Sequence, residues 1–184
     1  LTINESSKAS SSTSAVFRPM PDNITGKIST ILYGFEADST ATVLDGALVM
    51  YRSEYNDTLD LDDAKKINNT NSENFGMSKG SVIYQIELRQ TINETDTIHY
   101  SMRNLRARKY RLVVDLKNME TTGMTAYLKD NYTGTVTNLD FGNSNELEFT
   151  PAASAPGSYA PDRFKIYFKE MNVLPVTFTS LEAY

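Results

Sequence analysis

Cysteine and tryptophan are absent from this chain, and histidine occurs once, at position 99. The lack of cysteine excludes a disulfide framework, thiol chemistry and a cysteine-zinc site. Export stays open to such a chain, because a domain of this size can be stable without disulfides. A lone histidine excludes the two-histidine metal motifs, and no phosphate-cradling glycine loop is present. No apolar run approaches the roughly 18 residues that a membrane-spanning helix needs, so no membrane insertion is expected. Excess positive charge is missing too. The net charge of −5 argues against a general nucleic-acid binder. The chain starts at Leu1 without a methionine or a charged, apolar leader, and the expectation is a matured chain or a piece of a longer precursor.

What is present is ordinary globular material. The 184 residues are 40% hydrophobic and 22% charged, which fits one packed domain rather than disorder. Residues 1–14 are dominated by serine, a tract with too little apolar mass to offset chain entropy, and read as a linker or loosely laid edge. From 15 to 172 the chain reads as a β-sandwich domain, and 173–184 as a junction or the first strand of a following domain.

Strands are expected at Lys27 to Tyr33, Gly46 to Tyr51, Ser81 to Arg89, Thr97 to Met102, Lys109 to Leu116, Met124 to Lys129, Glu146 to Thr150, Phe164 to Lys169 and Val176 to Leu181. Alternation carries these assignments. Tyr110, Leu112, Val114 and Leu116 share one face, as do Val82, Tyr84, Ile86 and Leu88, and as do Phe164, Ile166 and Phe168 against Arg163, Lys165, Tyr167 and Lys169. Short strands separated by turns such as Asp45-Gly46 and Tyr132-Thr-Gly134 predict an all-β fold, an antiparallel sandwich of jelly-roll or Greek-key kind. One helix is expected, over Asp60 to Ile67. Asp60 would cap it, acids fill its first turn, lysines lie near its end, and Leu61, Ala64 and Ile67 line one side.

Candidate chemistry is sparse. Asp57, Asp60, Asp62 and Asp63, with Glu54 and Asn56 nearby, could supply oxygen ligands to calcium, although their spacing is not that of an EF-hand. The same acids also suit a helix cap and a solvated loop. Asn68 to Gly76 is rich in amides that both donate and accept, as sugar hydroxyls require, yet asparagine is also a turn former. Arg103 to Arg111 is basic enough to grip phosphate, but charged outer strand faces also keep sheets soluble. His99 falls on the polar side of its strand, and no glycine-framed serine accompanies it. A carboxylate pair of the glycosidase kind cannot be singled out among scattered acids. The expectation is a protein that is not an enzyme.

Three patches taken in order carry a resemblance. They are Leu44-Asp-Gly-Ala-Leu-Val49, Asp60-Leu-Asp-Asp-Ala-Lys-Lys-Ile-Asn68 with Ser72-Glu-Asn-Phe-Gly76, and Asp162-Arg-Phe-Lys-Ile-Tyr-Phe168 before Leu174-Pro-Val-Thr-Phe-Thr179. Over about residues 28 to 184 they resemble the β-sandwich region that precedes the C-terminal sorting domain in Bacteroidetes surface and adhesin-like proteins exported by the type IX secretion system. The resemblance implies a secreted or cell-surface structural or adhesive module. Its partners would be the secretion machinery, through a downstream fibronectin-like sorting domain, and surface polysaccharide or neighbouring copies of itself. The other reading is a carbohydrate-binding module of a secreted polysaccharide-degrading enzyme. The resemblance further implies O-glycosylation where aspartate precedes serine or threonine, which picks out Ser39, Thr58 and Thr97.

Overall fold

The computed structural model describes residues 24–120 and 122–171. Eleven strands run through them: β1 (Gly26–Phe35), β2 (Ala41–Tyr51), β3 (Ala64–Lys65), β4 (Asn74–Lys79), β5 (Val82–Arg89), β6 (Thr97–Arg103), β7 (Tyr110–Lys117), β8 (Met124–Asp130), β9 (Val136–Leu139), β10 (Asn145–Phe149) and β11 (Phe164–Glu170). Among the described residues a single 3-10 turn covers Pro156–Tyr159. The predicted linker, the junction after residue 172 and the strand at Val176 to Leu181 lie outside the described residues.

Hydrogen bonds link the strands in the order β10-β7-β1-β2-β5-β4-β6-β11-β8-β9, with β3 on the flank of β5. All neighbours are antiparallel except β2 and β5, which run parallel. The fold is therefore all-β as expected, but not purely antiparallel. The sheet curls until its ends approach. Phe149 at the end of β10 packs against Phe164 at the start of β11, with ring centroids 5.0 Å apart.

Alternation built this core. Ile28, Leu32, Leu112, Val114, Leu116, Leu128, Ile166 and Phe168 are buried on the inner side. Their neighbours on the outer side remain part-exposed. Across the interior the Thr30 and Tyr100 hydroxyls share a hydrogen bond of 2.6 Å, joining β1 to β6. The alternating strand β11 does not close the sheet at an edge. It lies between β6 and β8.

The helix expected over 60–67 does not form. The segment is a turn followed by β3, with Leu61 and Ile67 almost fully exposed rather than packed. Local carboxylates close that turn instead: Asp63 Oδ2 accepts from the Asp60 amide at 3.0 Å and Asp60 Oδ1 from the Asp62 amide at 2.8 Å. Asp63 Oδ1 then accepts the Leu88 amide of β5 at 2.9 Å, which ties the loop to the sheet. Short polar side chains that bond nearby backbone compete with helix, and here the sheet edge adds a further partner.

Two further expectations give way to the pairing. Asp45-Gly46 is no turn; it lies inside β2, where the register with β1 skips Leu44. The bulge turns the Asp45 carboxylate into a buried hub that pairs with Lys66 Nζ at 2.7 Å, the Phe75 amide at 2.8 Å and Gln85 Nε2 at 3.0 Å. In β5 the buried face also changes partway. Tyr84 is buried, but further along it is Glu87 and Arg89, beside Val49 and Tyr51, that lie inside, while Ile86 and Leu88 are only part-buried. The pairing with β3 passes over Gln85, and an extra residue of this kind reverses the faces of everything that follows.

Candidate functional site

The outward side of β9, β8, β11 and β6 forms a continuous surface. Register places Asn138, Tyr127, Tyr167 and Thr97 in one row across these strands, and Val136, Lys129, Lys165 and His99 in the next. Tyrosine and lysine suit such positions, since a strand side chain pointing outward needs a β-compatible body and a wet tip. Tyr127 and Tyr167 stand directly opposite each other with ring centroids 5.3 Å apart and planes 18° apart. The Lys169 ammonium lies 5.7 Å and 6.0 Å from the two ring centres. Neither phenol hydroxyl bonds to a described group, and Lys129 and Lys165 pair with no described carboxylate. No outward position aligned with these residues on the four strands is acidic, although the chain as a whole carries a net charge of −5.

Beyond Thr97 and His99 the surface drops into an open pocket of about 500 Å³, also lined by Asp57, Ser78, Lys79, Gly80, Arg89, Asn93, Thr95 and Asp96. Its floor is a buried charge network. Arg89 donates from Nη2 to Glu87 Oε2 at 2.9 Å and from Nη1 to Asp96 Oδ1 at 3.0 Å and the Thr97 carbonyl at 3.2 Å. Lys79 reaches Glu87 at 3.2 Å and also donates to the Asp57 carbonyl. Burial pushes the Asp96 carboxyl up despite the Arg89 charge. Partial burial, then the Lys165 and Arg89 charges, pushes the His99 imidazole below its ordinary value. The His99 ring makes no hydrogen bond to a described group.

The structure separates the residues that sequence reasoning grouped. Of the calcium candidates, Asp60, Asp62 and Asp63 share the turn before β3, whereas Asp57 sits at the pocket and caps the Gln90 amide at 2.8 Å. Among the described residues no three histidine, aspartate or glutamate side chains converge to hold a metal ion. Ser39 occupies an exposed turn with φ of 66°, Thr58 an exposed loop, and Thr97 the tyrosine row itself. In the basic run, Arg108 pairs with Glu73 and Glu36, Lys109 with Glu148, and Arg111 with Glu146 and Glu148, so the charge of these three is matched within the protein, while Arg103 and Arg106 stay exposed. The amide-rich loop is closed on itself by Asn69 and Asn74, with the Asn69 amide donating to Asn74 Oδ1 at 2.6 Å.

Sequence reasoning missed the Tyr127–Tyr167 pair because the two strands are far apart in the chain. The available signal was a tyrosine flanked by lysines in Lys165-Ile-Tyr-Phe-Lys169 and one followed by a lysine in Tyr127-Leu-Lys129. No family model, curated protein or solved structure matches the chain.

Proposed function

We propose that this chain is a non-catalytic adhesive module whose outward β9-β8-β11-β6 surface holds glycan. The stacked Tyr127–Tyr167 pair on the solvent side carries the reading. By register its free ring flanks face Asn138 on one side and Thr97 on the other, both small polar neighbours. Sugar rings bind by laying their C–H face on an aromatic flank while hydroxyls find donors and acceptors beside it. Tyr127, Tyr167, Asn138, Thr97 and the pocket polar groups supply both kinds of contact. The isolation of His99, with no nucleophile bonded to it, favours binding over catalysis.

The sequence resemblance supports placing this module in a secreted or cell-surface protein exported by the type IX secretion system, and supports reading the curled sheet as a sandwich of jelly-roll or Greek-key kind. Attachment to a polysaccharide-degrading enzyme is the second reading, and the same tyrosine surface favours it equally. A glycan array probed with the chain and with a Tyr127→Ala/Tyr167→Ala variant tests the proposal. Hits that vanish in the variant support it. An array on which the intact chain finds nothing removes it.

A further inference from the structure

The charge distribution around the tyrosine pair narrows the ligand class. Resting on the glycan-binding reading above, we infer that the bound glycan is anionic, bearing carboxylate or sulfate groups that Lys129, Lys165 and Lys169 engage while a sugar ring rests on Tyr167.

Three observations carry this. Where β7 meets β10, cations are paired with acids: Arg111 and Lys109 face Glu146 and Glu148. Charged outer faces are normally mixed in this way. The lysines around the tyrosine pair have no acid on their face of the strands; Lys27 and Lys117 also stand opposite each other, but with Asp115 on the same face of β7. Lys129 and Lys165 are directly opposite each other on β8 and β11. Like charges in such positions repel and cost stability unless something neutralises them. Lys169 leans over both rings, where a cation is favoured by the ring faces but remains open to a second partner.

The geometry also distinguishes this surface from a general polyanion patch. The lysines flank an aromatic step instead of forming a basic stripe, so a ligand must present a face to stack as well as a charge. The pocket past Thr97 contains Asp57 and Asp96 as well as Lys79 and Arg89. It therefore suits neutral hydroxyls better than a second anion, which sets a direction, with the charged substituents over β8 and β11 and a neutral unit over β6.

Isothermal titration of the full chain with polygalacturonate, a chondroitin sulfate, neutral dextran and a single-stranded oligonucleotide tests the inference. Three proteins are compared: the native chain, Tyr167→Ala, and Lys129→Gln/Lys165→Gln/Lys169→Gln, with Lys27→Gln/Lys117→Gln as a control on the far side of the sheet. Acidic glycan should bind, weaken by about tenfold between about 50 and about 200 mM salt, and weaken at least about tenfold in Tyr167→Ala and in the triple variant but not in the control. Dextran bound as tightly as the acidic glycans, with the triple variant unaffected, overturns the anionic inference while the glycan-binding reading stands. No binding of any glycan overturns both. Oligonucleotide bound as well as glycan, and indifferent to Tyr167→Ala, overturns the inference in favour of a plain polyanion patch.

Discussion

Arg163 grips both carboxylate oxygens of Asp130, from Nε at 3.0 Å and from Nη2 at 2.8 Å, where the ends of the curled sheet approach each other. The pair is almost fully buried, and the guanidinium lies within 5.1 Å of the ring centres of Tyr132, Phe149 and Phe164. Alternation alone placed Arg163 on the polar side of its strand. It precedes β11 instead, and turns inward beneath β10. Removing one member of a buried pair leaves the other charged and unpaired, so Arg163→Met should cost about 3–5 kcal/mol in urea unfolding. Arg163→Met/Asp130→Leu should recover part of that loss.

The same pair sets an acid sensitivity. Burial pushes the Asp130 carboxyl up, but the Arg163 hydrogen bonds and charge, with the Tyr132 and Thr133 amides, outweigh it and leave the carboxyl below its ordinary 3.8. A carboxylate lowered by folding stabilises above its unfolded value and loses that contribution as pH falls through its folded value. The stability difference between native and Arg163→Met protein should therefore be full at neutral pH and shrink below about pH 3.8. A difference that stays constant through that range would show that Asp130 is not what the arginine stabilises.

Asp63 is the tether of the loop that was expected to be a helix. Asp63→Ala leaves the Leu88 amide without its acceptor and opens the turn at Asp60. A cost of about 1–3 kcal/mol follows from one desolvated donor. Hydrogen exchange should accelerate at Leu88 and through residues 57–66, while β7 and β11 keep their protection.

Gly76 sits where β4 crosses between β5 and β6. A Cβ there would lie 2.7 Å from the Tyr84 carbonyl oxygen and 2.8 Å from Ile83 Cγ2. Gly76→Ala should destabilise by about 1–3 kcal/mol. Gly142→Ala, whose Cβ would meet only Asp140 Oδ1 at 3.5 Å, should leave the unfolding midpoint unchanged.

His99 makes the tyrosine surface responsive to pH. Its imidazole is pushed below 6.5 by burial and by Lys165 and Arg89. Above that value both folded and unfolded chains are neutral at this position. As pH falls through it the unfolded chain takes the proton first, so stability drops, and His99→Gln should flatten that part of the curve. Further acidification protonates the folded chain, and affinity for an acidic glycan should rise with the added charge. An NMR titration of the His99 ring reads the first effect directly.

Much of the fold was legible because burial writes its period into a strand. Tyr110 to Leu116 and Phe164 to Phe168 alternate without a break, and each became a strand with the expected face inside. What failed was whatever depends on a partner distant in sequence. Asp60 to Ile67 carries every local mark of a helix, yet the Leu88 amide of β5 holds Asp63 and the edge of β5 takes Ala64 and Lys65. Tyr84 to Leu88 looks like one alternating face until a bulge at Gln85 brings Glu87 and Arg89 inside. The tyrosine surface was hidden for the same reason, since only the pairing of β8 with β11 sets Tyr127 against Tyr167.

Whether that pairing builds a glycan platform is decided by one comparison: titration of an acidic glycan into the native chain and into Tyr127→Ala/Tyr167→Ala. Loss of the cross-strand pair should lower stability by only about 0.2–1 kcal/mol, so the variant remains folded. Its thermal transition should stay cooperative while glycan affinity falls beyond detection. A folded double variant that binds as tightly as the native chain would rule out the tyrosine pair as the glycan platform.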